Sequence, residues 1–235
     1  MPTLYLLPTP LADQTADQVL SPQVREIVRR VDAYLVENVR TARRFISSLG
    51  TGRVIDELRF FDLHKDTPET DTRSQLSELF AQGTDAAVLA EAGCPGVADP
   101  GAVAARLAHG MGWRVAPLVG PSSLLLALMA SGLNGQSFAF HGYLPIDKAE
   151  RAKALRQLEK EARQRRQTQL FIETPYRNQA LLGDILAHCQ PDTQLCVACN
   201  LTAPDEYIRT GSVRDWRKMT PLPDLHKKPT VFLLL

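Results

Sequence analysis

The sequence predicts an α/β protein of two domains, with a mostly parallel N-terminal sheet and a mixed C-terminal sheet, each flanked by helices. Three observations carry this. Through residues 1–117, short apolar runs alternate with amphipathic helical stripes across Gly- and Pro-rich connections, the pattern of a parallel sheet covered on both faces. Toward the C-terminus, strand-like runs follow one another with little helix between them, which suits a partly antiparallel sheet. Between these regions Pro117-Leu-Val-Gly-Pro121 punctuates the chain, placing the domains at 1–117 and 118–235.

The elements follow in order. Leu4–Leu7 is a strand stopped by Pro8-Thr9-Pro10, because proline cannot donate to a ladder. Ser21-Pro22 opens a helix as N-cap and first residue, and Val24, Ile27, Val28 and Val31 form its apolar stripe. Ala33–Val36 is a buried strand, and the helix after it carries Phe45, Ile46 and Leu49 and ends at Gly50. A further helix covers about Arg73–Gln82, closed by Gly83. Ala86–Ala90 is a strand, Ala102–Met111 a helix and Trp113–Val119 a strand. The second half reads as helix Leu124–Ala130, strand Phe138–His141, a long basic helix, strand Gln169–Ile172, helix Asn178–Cys189 and strand Leu195–Cys199. A strand pair, Tyr207–Thr210 and Thr230–Leu234, flanks a helix near Trp216.

Composition narrows the function classes. The chain has 235 residues, 44% of them hydrophobic, and a formal net charge of +1, so it can bury a core and is not expected to be disordered. No apolar run approaches a membrane span, and Met1–Leu7 lacks the basic start of a secretory signal. Four scattered cysteines do not make a disulfide framework, which suggests a reducing, cytoplasmic setting. The near-neutral total hides an asymmetry, −3 over residues 1–117 and +4 over 118–235. The excess lies in Arg151–Arg166, seven cations against Glu159 and Glu161; such a run is a solvated helix face or a surface that meets phosphate.

Familiar motifs are missing. Gly50-Thr-Gly52 and Gly110-Met-Gly112 lack the third glycine of a dinucleotide fingerprint, and there is no P-loop. Gly120-Pro-Ser-Ser-Leu124 fails as a nucleophile elbow. Cys196-Val-Ala-Cys199 has C-x-x-C spacing, but in a strand residues three apart face opposite ways. These cysteines read better as small hydrophobes than as metal ligands. What remains is loop chemistry at strand ends. Ala90–Gly101 leaves a buried strand, passes Gly93, Pro95, Gly96 and Gly101, and enters a helix with Asp99 as expected N-cap and Pro100 as first residue. Glycines let a ligand reach the backbone, and loops at the carboxyl ends of parallel strands form ligand crevices. Pro8–Pro10 occupies the same kind of position.

These residues resemble a family. Glu91-Ala-Gly-Cys-Pro-Gly-Val-Ala-Asp-Pro-Gly101 is similar to the acidic-Ala-Gly-Thr-Pro-x-x-x-Asp-Pro-Gly loop of the tetrapyrrole methylase superfamily of S-adenosylmethionine (SAM)-dependent methyltransferases. The nearest branch is that of bacterial small-subunit ribosomal RNA 2′-O-ribose methyltransferases. Leu4–Pro10, Glu37-Asn-Val-Arg40, Pro117–Ser122, Gly142-Tyr-Leu-Pro145 with Lys148 and Arg151, and Phe171-Ile-Glu-Thr-Pro-Tyr-Arg177 resemble that branch's segments in order and spacing. The chain departs from it at Leu11–Asp13, Asn38-Val39, Cys199-Asn200 and the C-terminal strand, changes that bear on the substrate.

The resemblance implies a two-domain tetrapyrrole methylase-like fold, with SAM in the cleft between the domains of a homodimer. It assigns cofactor contacts to Pro8, Thr9, Pro10, Gly93, Cys94, Pro95, Val97, Ala98, Ser122 and Ser123. Phe171 and Ile172 would form an apolar wall for adenine, and Asn200, Pro229 and Thr230 would close the site. Glu37, Asp99 and Glu173 are candidate acids or bases, and Arg40 and Arg177 candidate substrate clamps. Each also has a structural reading: a cap for Asp99, a helix-surface pair for Glu37 and Arg40, a hydrogen-bond partner for Glu173. No metal is implied. The expected activity is methyl transfer to a ribose hydroxyl of ribosomal RNA. The alternatives are C-methylation of a tetrapyrrole or corrin, and a SAM-binding protein without turnover.

Overall fold

The computed structural model describes residues 2–235, which divide into two compact units, one ending at Ser122 and one running from Ser123 to Leu235. The first unit is built on β1 (Thr3–Leu7), β2 (Ala33–Val36), β3 (Arg59–Asp62), β4 (Ala86–Leu89) and β5 (Arg114–Pro117). They form one sheet in the order β3-β2-β4-β1-β5, and every pairing is parallel. The helices are α1 (Ala16–Val19), α2 (Pro22–Arg30), α3 (Val39–Ser48), α4 (Glu69–Ala81) and α5 (Gly101–Gly110).

Alternation along the strands sorts the core. Leu7, Tyr34, Val36, Ala87 and Leu89 face Val24, Ile27 and Val28 of α2 and Ile46 of α3. Leu4, Leu35, Ala86 and Val88 face Leu76 and Leu79 of α4 and Ala104, Leu107 and Ala108 of α5. Both faces of the sheet are therefore covered, which is why β2 and β4 are buried along their whole length.

The second unit carries β6 (Phe138–Tyr143), β7 (Thr168–Ile172), β8 (Gln194–Cys199), β9 (Tyr207–Ser212) and β10 (Thr230–Leu234), in the order β6-β7-β10-β8-β9. Only the β6–β7 pairing is parallel. Helices α7 (Lys148–Arg165), α8 (Asn178–His188) and α9 (Val213–Lys218) bury Leu155, Leu158, Leu181, Leu182, Ile185 and Trp216 against Phe171, Val197, Cys199, Phe232 and Leu234. Helix α6 (Ser123–Ser131) packs on β8, β9 and β10.

Several expectations change. Strand β3 and the short α1 join the fold unannounced by the sequence. Helix α4 starts four residues earlier than its apolar period suggests, directly after Pro68. Strands β9 and β10 are not a pair, because β8 lies between them. Ser21 precedes α2 as its N-cap residue without bonding it through its hydroxyl. The basic helix loses one of its cations to structure: Arg151 is buried on α7, bonded to Asp184 of α8 (2.6 Å) and to the carbonyls of Pro145 and Ile146. The four cysteines are free thiols, and among the described residues no group of His, Cys, Asp and Glu could hold a metal. Among the described residues no helix is long and apolar enough to cross a membrane.

Candidate active site

In the first sheet, β1 and β4 are neighbours, yet the chain leaves them in opposite directions: β1 connects across β4 to β2, and β4 connects across β1 to β5. Their carboxyl ends are thus left open between diverging crossovers, where ligands bind in open α/β sheets. The two turns that follow these strands meet there. Thr9 and Gly93 exchange backbone hydrogen bonds, Thr9 N–H to Gly93 O at 2.9 Å and Gly93 N–H to Thr9 O at 3.1 Å. The Thr9 hydroxyl donates to Ala90 O.

A third segment closes on the same point. The Cys94 thiol donates to Pro121 O (3.2 Å). A Cβ at Gly120 would fall 2.2 Å from Pro8 Cβ, and one at Gly93 3.3 Å from Pro121 O. Glycine at 120 is therefore required by close approach, and Gly93 also takes a φ of +82°.

Asp99 organises the β4–α5 loop. Its Oδ1 accepts from the amides of Gly96 and Gly101, each at 2.7 Å. Helix α5 begins at Gly101 with Pro100 before it, so Asp99 stands one residue outside the expected cap position while still satisfying the first helical amide. Gly101 has no room for a side chain, since a Cβ would lie 2.8 Å from Asp99 Oδ1. Burial pushes the Asp99 carboxyl above the usual carboxylate range, against the pull of the two amides. Its Oδ2 is enclosed without a partner, an acceptor left for a ligand donor.

Two hollows flank these loops. A cavity of about 680 Å³ opens at the ends of β1, β2 and β4, bounded by Thr9, Pro10, Glu37, Asn38, Arg44 and Glu91. A second, about 420 Å³, lies between the β3 and β4 ends, with Lys65, Thr72, Ala98 and Asp99 on its wall. Glu37 is half-buried; burial is the main cause of its raised pKa, opposed by the Glu91 amide and reinforced by the carboxylates of Asp99 and Glu91. Asn38 caps α3 by accepting from Thr41 N–H, and Arg40 stands exposed one residue into that helix. Pro95 is buried in the loop, Val97 is exposed, and Ala98 adopts φ +60°.

The second unit distributes its candidates differently. Phe171 cannot form an adenine wall with its ring, which is fully buried and stacks on Phe232 at 5.9 Å. Ile172, the next residue and so on the opposite face, keeps partial exposure. Glu173 is buried, and its Oε1 accepts from Thr174 N–H and Arg177 Nη2, both at 2.7 Å. It is a structural partner rather than an acid or base facing a ligand. The Asn200 side chain is committed to both oxygens of Asp205, while its amide donates to the carbonyl of exposed Pro229. Thr230 is buried opposite Cys199. Ser122 ends the first unit and Ser123 starts α6, both partly exposed. Sequence reasoning passed over Glu91 and Arg44. Both sit in segments it had marked, one opening the Gly-rich loop and the other one turn beyond Arg40.

The family model for tetrapyrrole (corrin/porphyrin) methylases matches residues 14–216. The chain belongs to the tetrapyrrole methylase family. Among curated members, proteins named ribosomal RNA small subunit methyltransferase I are similar over most of the chain. The one from Micromonospora olivasterospora is 34% identical over 91% of this chain, and the match spans 64% of its own length. The one from Escherichia coli O157:H7 is 30% identical over 92% of this chain and 72% of its own. In fold, the chain resembles the methyltransferase CobJ (TM-score 0.63, 17% identity, 100% of this chain and 94% of that one). It also resembles a uroporphyrin-III C-methyltransferase from Thermus thermophilus (TM-score 0.55, 19% identity, 99% and 91%). The likeness to these two structures extends over the two-sheet architecture.

Proposed function

We propose that the protein is an S-adenosylmethionine-dependent methyltransferase acting on a ribose 2′-hydroxyl of ribosomal RNA, as a cytoplasmic homodimer. The observation that carries this is the convergence of three loops on the Thr9–Gly93 bridge, with glycines stripped of side chains and an unpartnered Asp99 oxygen among them. Such a cradle suits a ligand held chiefly through backbone groups and a few placed polar atoms, as SAM would be. Thr9, Pro10, Gly93, Cys94 and Ala98 would hold the cofactor, and Asp99 Oδ2 would accept from one of its N–H or O–H groups. SAM supplies an activated methyl group on a sulfonium.

The remaining work is alignment and proton removal. Glu37, half-buried beside the larger cavity with a raised pKa, is suited to take the proton of an acceptor hydroxyl. Arg40 and Arg44 project from α3 toward solvent and can hold an acceptor phosphate. The names of the curated relatives support an RNA acceptor, and so does α7. With Arg151 withdrawn into the interior, Lys153, Arg156, Lys160 and Arg163 remain exposed at helical spacing on one side, a stripe that can neutralise phosphates.

Tritium transfer from labelled SAM to small ribosomal subunits lacking native methylation tests the reading. Label in RNA that is lost in Glu37→Gln supports it. Label appearing instead in a porphyrinoid, or SAM binding with no acceptor in RNA, overturns it.

A further inference from the structure

Strand β6 pairs with β7 in register from Phe138 to Phe140 and then slips, so that Tyr143 rather than Gly142 stands opposite Ile172. Gly142, at φ +64°, makes the slip possible. Irregularities of this kind re-aim a side chain at the end of a strand, and here the result is a Tyr143 left 60% exposed beside the end of β7.

Four residues past Ile172, the β-partner of Tyr143, the chain carries a second exposed ring. Tyr176 is 71% exposed. It is held in place, because Lys227 N–H donates to Pro175 O (3.0 Å), the His226 ring meets Tyr176 edge-on at 6.2 Å, and Lys227 Nζ lies 5.9 Å from its centroid. Arg177 follows Tyr176 in the chain and is tied to Glu173, the residue after Ile172, which is the β-partner of Tyr143. Its guanidinium is anchored through Nη2 to buried Glu173, while its enclosed Nε has no acceptor.

A tyrosine ring joins an apolar face to a polar tip and suits a contact surface; Arg177 pairs with the buried Glu173 carboxylate, and Lys227 Nζ lies over the Tyr176 ring. Rings alternating with Arg and Lys are the means by which proteins hold single-stranded RNA: bases stack on the rings and phosphates meet the cations. A duplex, whose bases are already stacked, gains only the phosphate contacts from such a surface.

We propose that Tyr143 and Tyr176, set around Arg177 and Lys227, form a stacking platform for unpaired bases of an RNA strand. This rests on the RNA reading above and adds that the substrate is engaged as a single strand.

The test is fluorescence anisotropy of the full-length protein with a labelled ten-nucleotide pyrimidine RNA and with an RNA duplex of equal length. Tyr176→Ala should weaken single-strand binding by about 5- to 150-fold, the value of one stacked base, and Tyr143→Ala should weaken it in the same direction. Tyr176→Trp should bind within about threefold of the parent and show indole quenching on RNA addition, since the ring face is kept. Lys227→Ala should lower the slope of log affinity against log salt by about 0.7. Both rings are exposed, so the variants should melt with the parent, and circular dichroism checks this.

Unchanged single-strand affinity in both alanine variants overturns the platform, as does an equal loss on duplex or a parent that binds no single strand. The two readings fail separately. Methyl label reaching ribosomal RNA undiminished in Tyr176→Ala removes the platform alone, whereas Tyr176-dependent strand binding without label transfer removes the methylation reading alone.

Discussion

Gly120→Ala is the substitution that addresses the geometry of the candidate site most directly. An added Cβ would sit 2.2 Å from Pro8 Cβ and 2.3 Å from Pro8 Cγ. Carbon atoms settle at about 3.5–4.0 Å, so relief takes a displacement of at least about 1.3 Å. Pro8 cannot turn its ring away, because ring and backbone share the φ bond, and it follows directly from β1, which is paired on both sides. The shift therefore passes to Thr9. Its two bonds with Gly93, now 2.9 and 3.1 Å, would stretch beyond the range of useful hydrogen bonds. Overpacking costs about 1–3 kcal/mol, and each lost bond about 0.5–1.5 kcal/mol. We expect a loss of roughly 2–6 kcal/mol in urea unfolding and at least a tenfold weaker calorimetric titration with SAM. Gly135→Ala, which has nothing within 4 Å of its new Cβ, is the control and should change neither. A Gly120→Ala protein within about 0.5 kcal/mol of the parent and with unchanged SAM affinity would refute the argument that these loops are locked together at the site.

The buried Arg151–Asp184 pair should behave as structure. Arg151→Ala leaves a buried carboxylate and two carbonyls without their partner and should cost about 3–5 kcal/mol in urea, whereas Arg151→Met with Asp184→Leu should recover most of that loss. Asp99 has a raised pKa from burial, so the folded chain keeps a proton that the unfolded chain releases. Stability from this group is complete below about pH 4 and declines as pH rises through the folded value. Asn at 99 should flatten that decline in urea midpoints measured from pH 4 to 7, and an unflattened curve would assign the slope to other groups such as Glu37.

Much of the fold was legible because both strand and helix periodicities are strong in the buried elements. Val24, Ile27 and Val28 mark α2 by spacing alone, and β2 and β4 read as continuous apolar runs because both sheet faces are covered. The elements that escaped notice lack that signal. Strand β3 is four residues long and begins and ends with a charge, and α1 buries nothing along its four residues. Phe171 illustrates a different limit. The sequence shows an apolar strand end but not which face each residue takes. Its pairing opposite Phe232 turns the ring inward and leaves Ile172 on the other face. Arg151 looked like any other cation in a basic run until Asp184, thirty-three residues away, supplied the partner that buries it.

The candidate site left its mark in the backbone more than in the side chains, and there is a physical reason. Gly93, Gly101 and Gly120 each stand where a Cβ would be crowded, so their positions record the close approach of loops that are distant in sequence. The acid residues carry no such mark. Glu37 and Glu173 both follow a strand in the sequence, but one borders a cavity with its pKa raised while the other is enclosed by its own loop and Arg177. What separates them is desolvation and the partner available, which depend on packing alone. Glu37 is therefore the better candidate for the proposed proton transfer, and Glu173 serves by holding Arg177 beyond the end of β7.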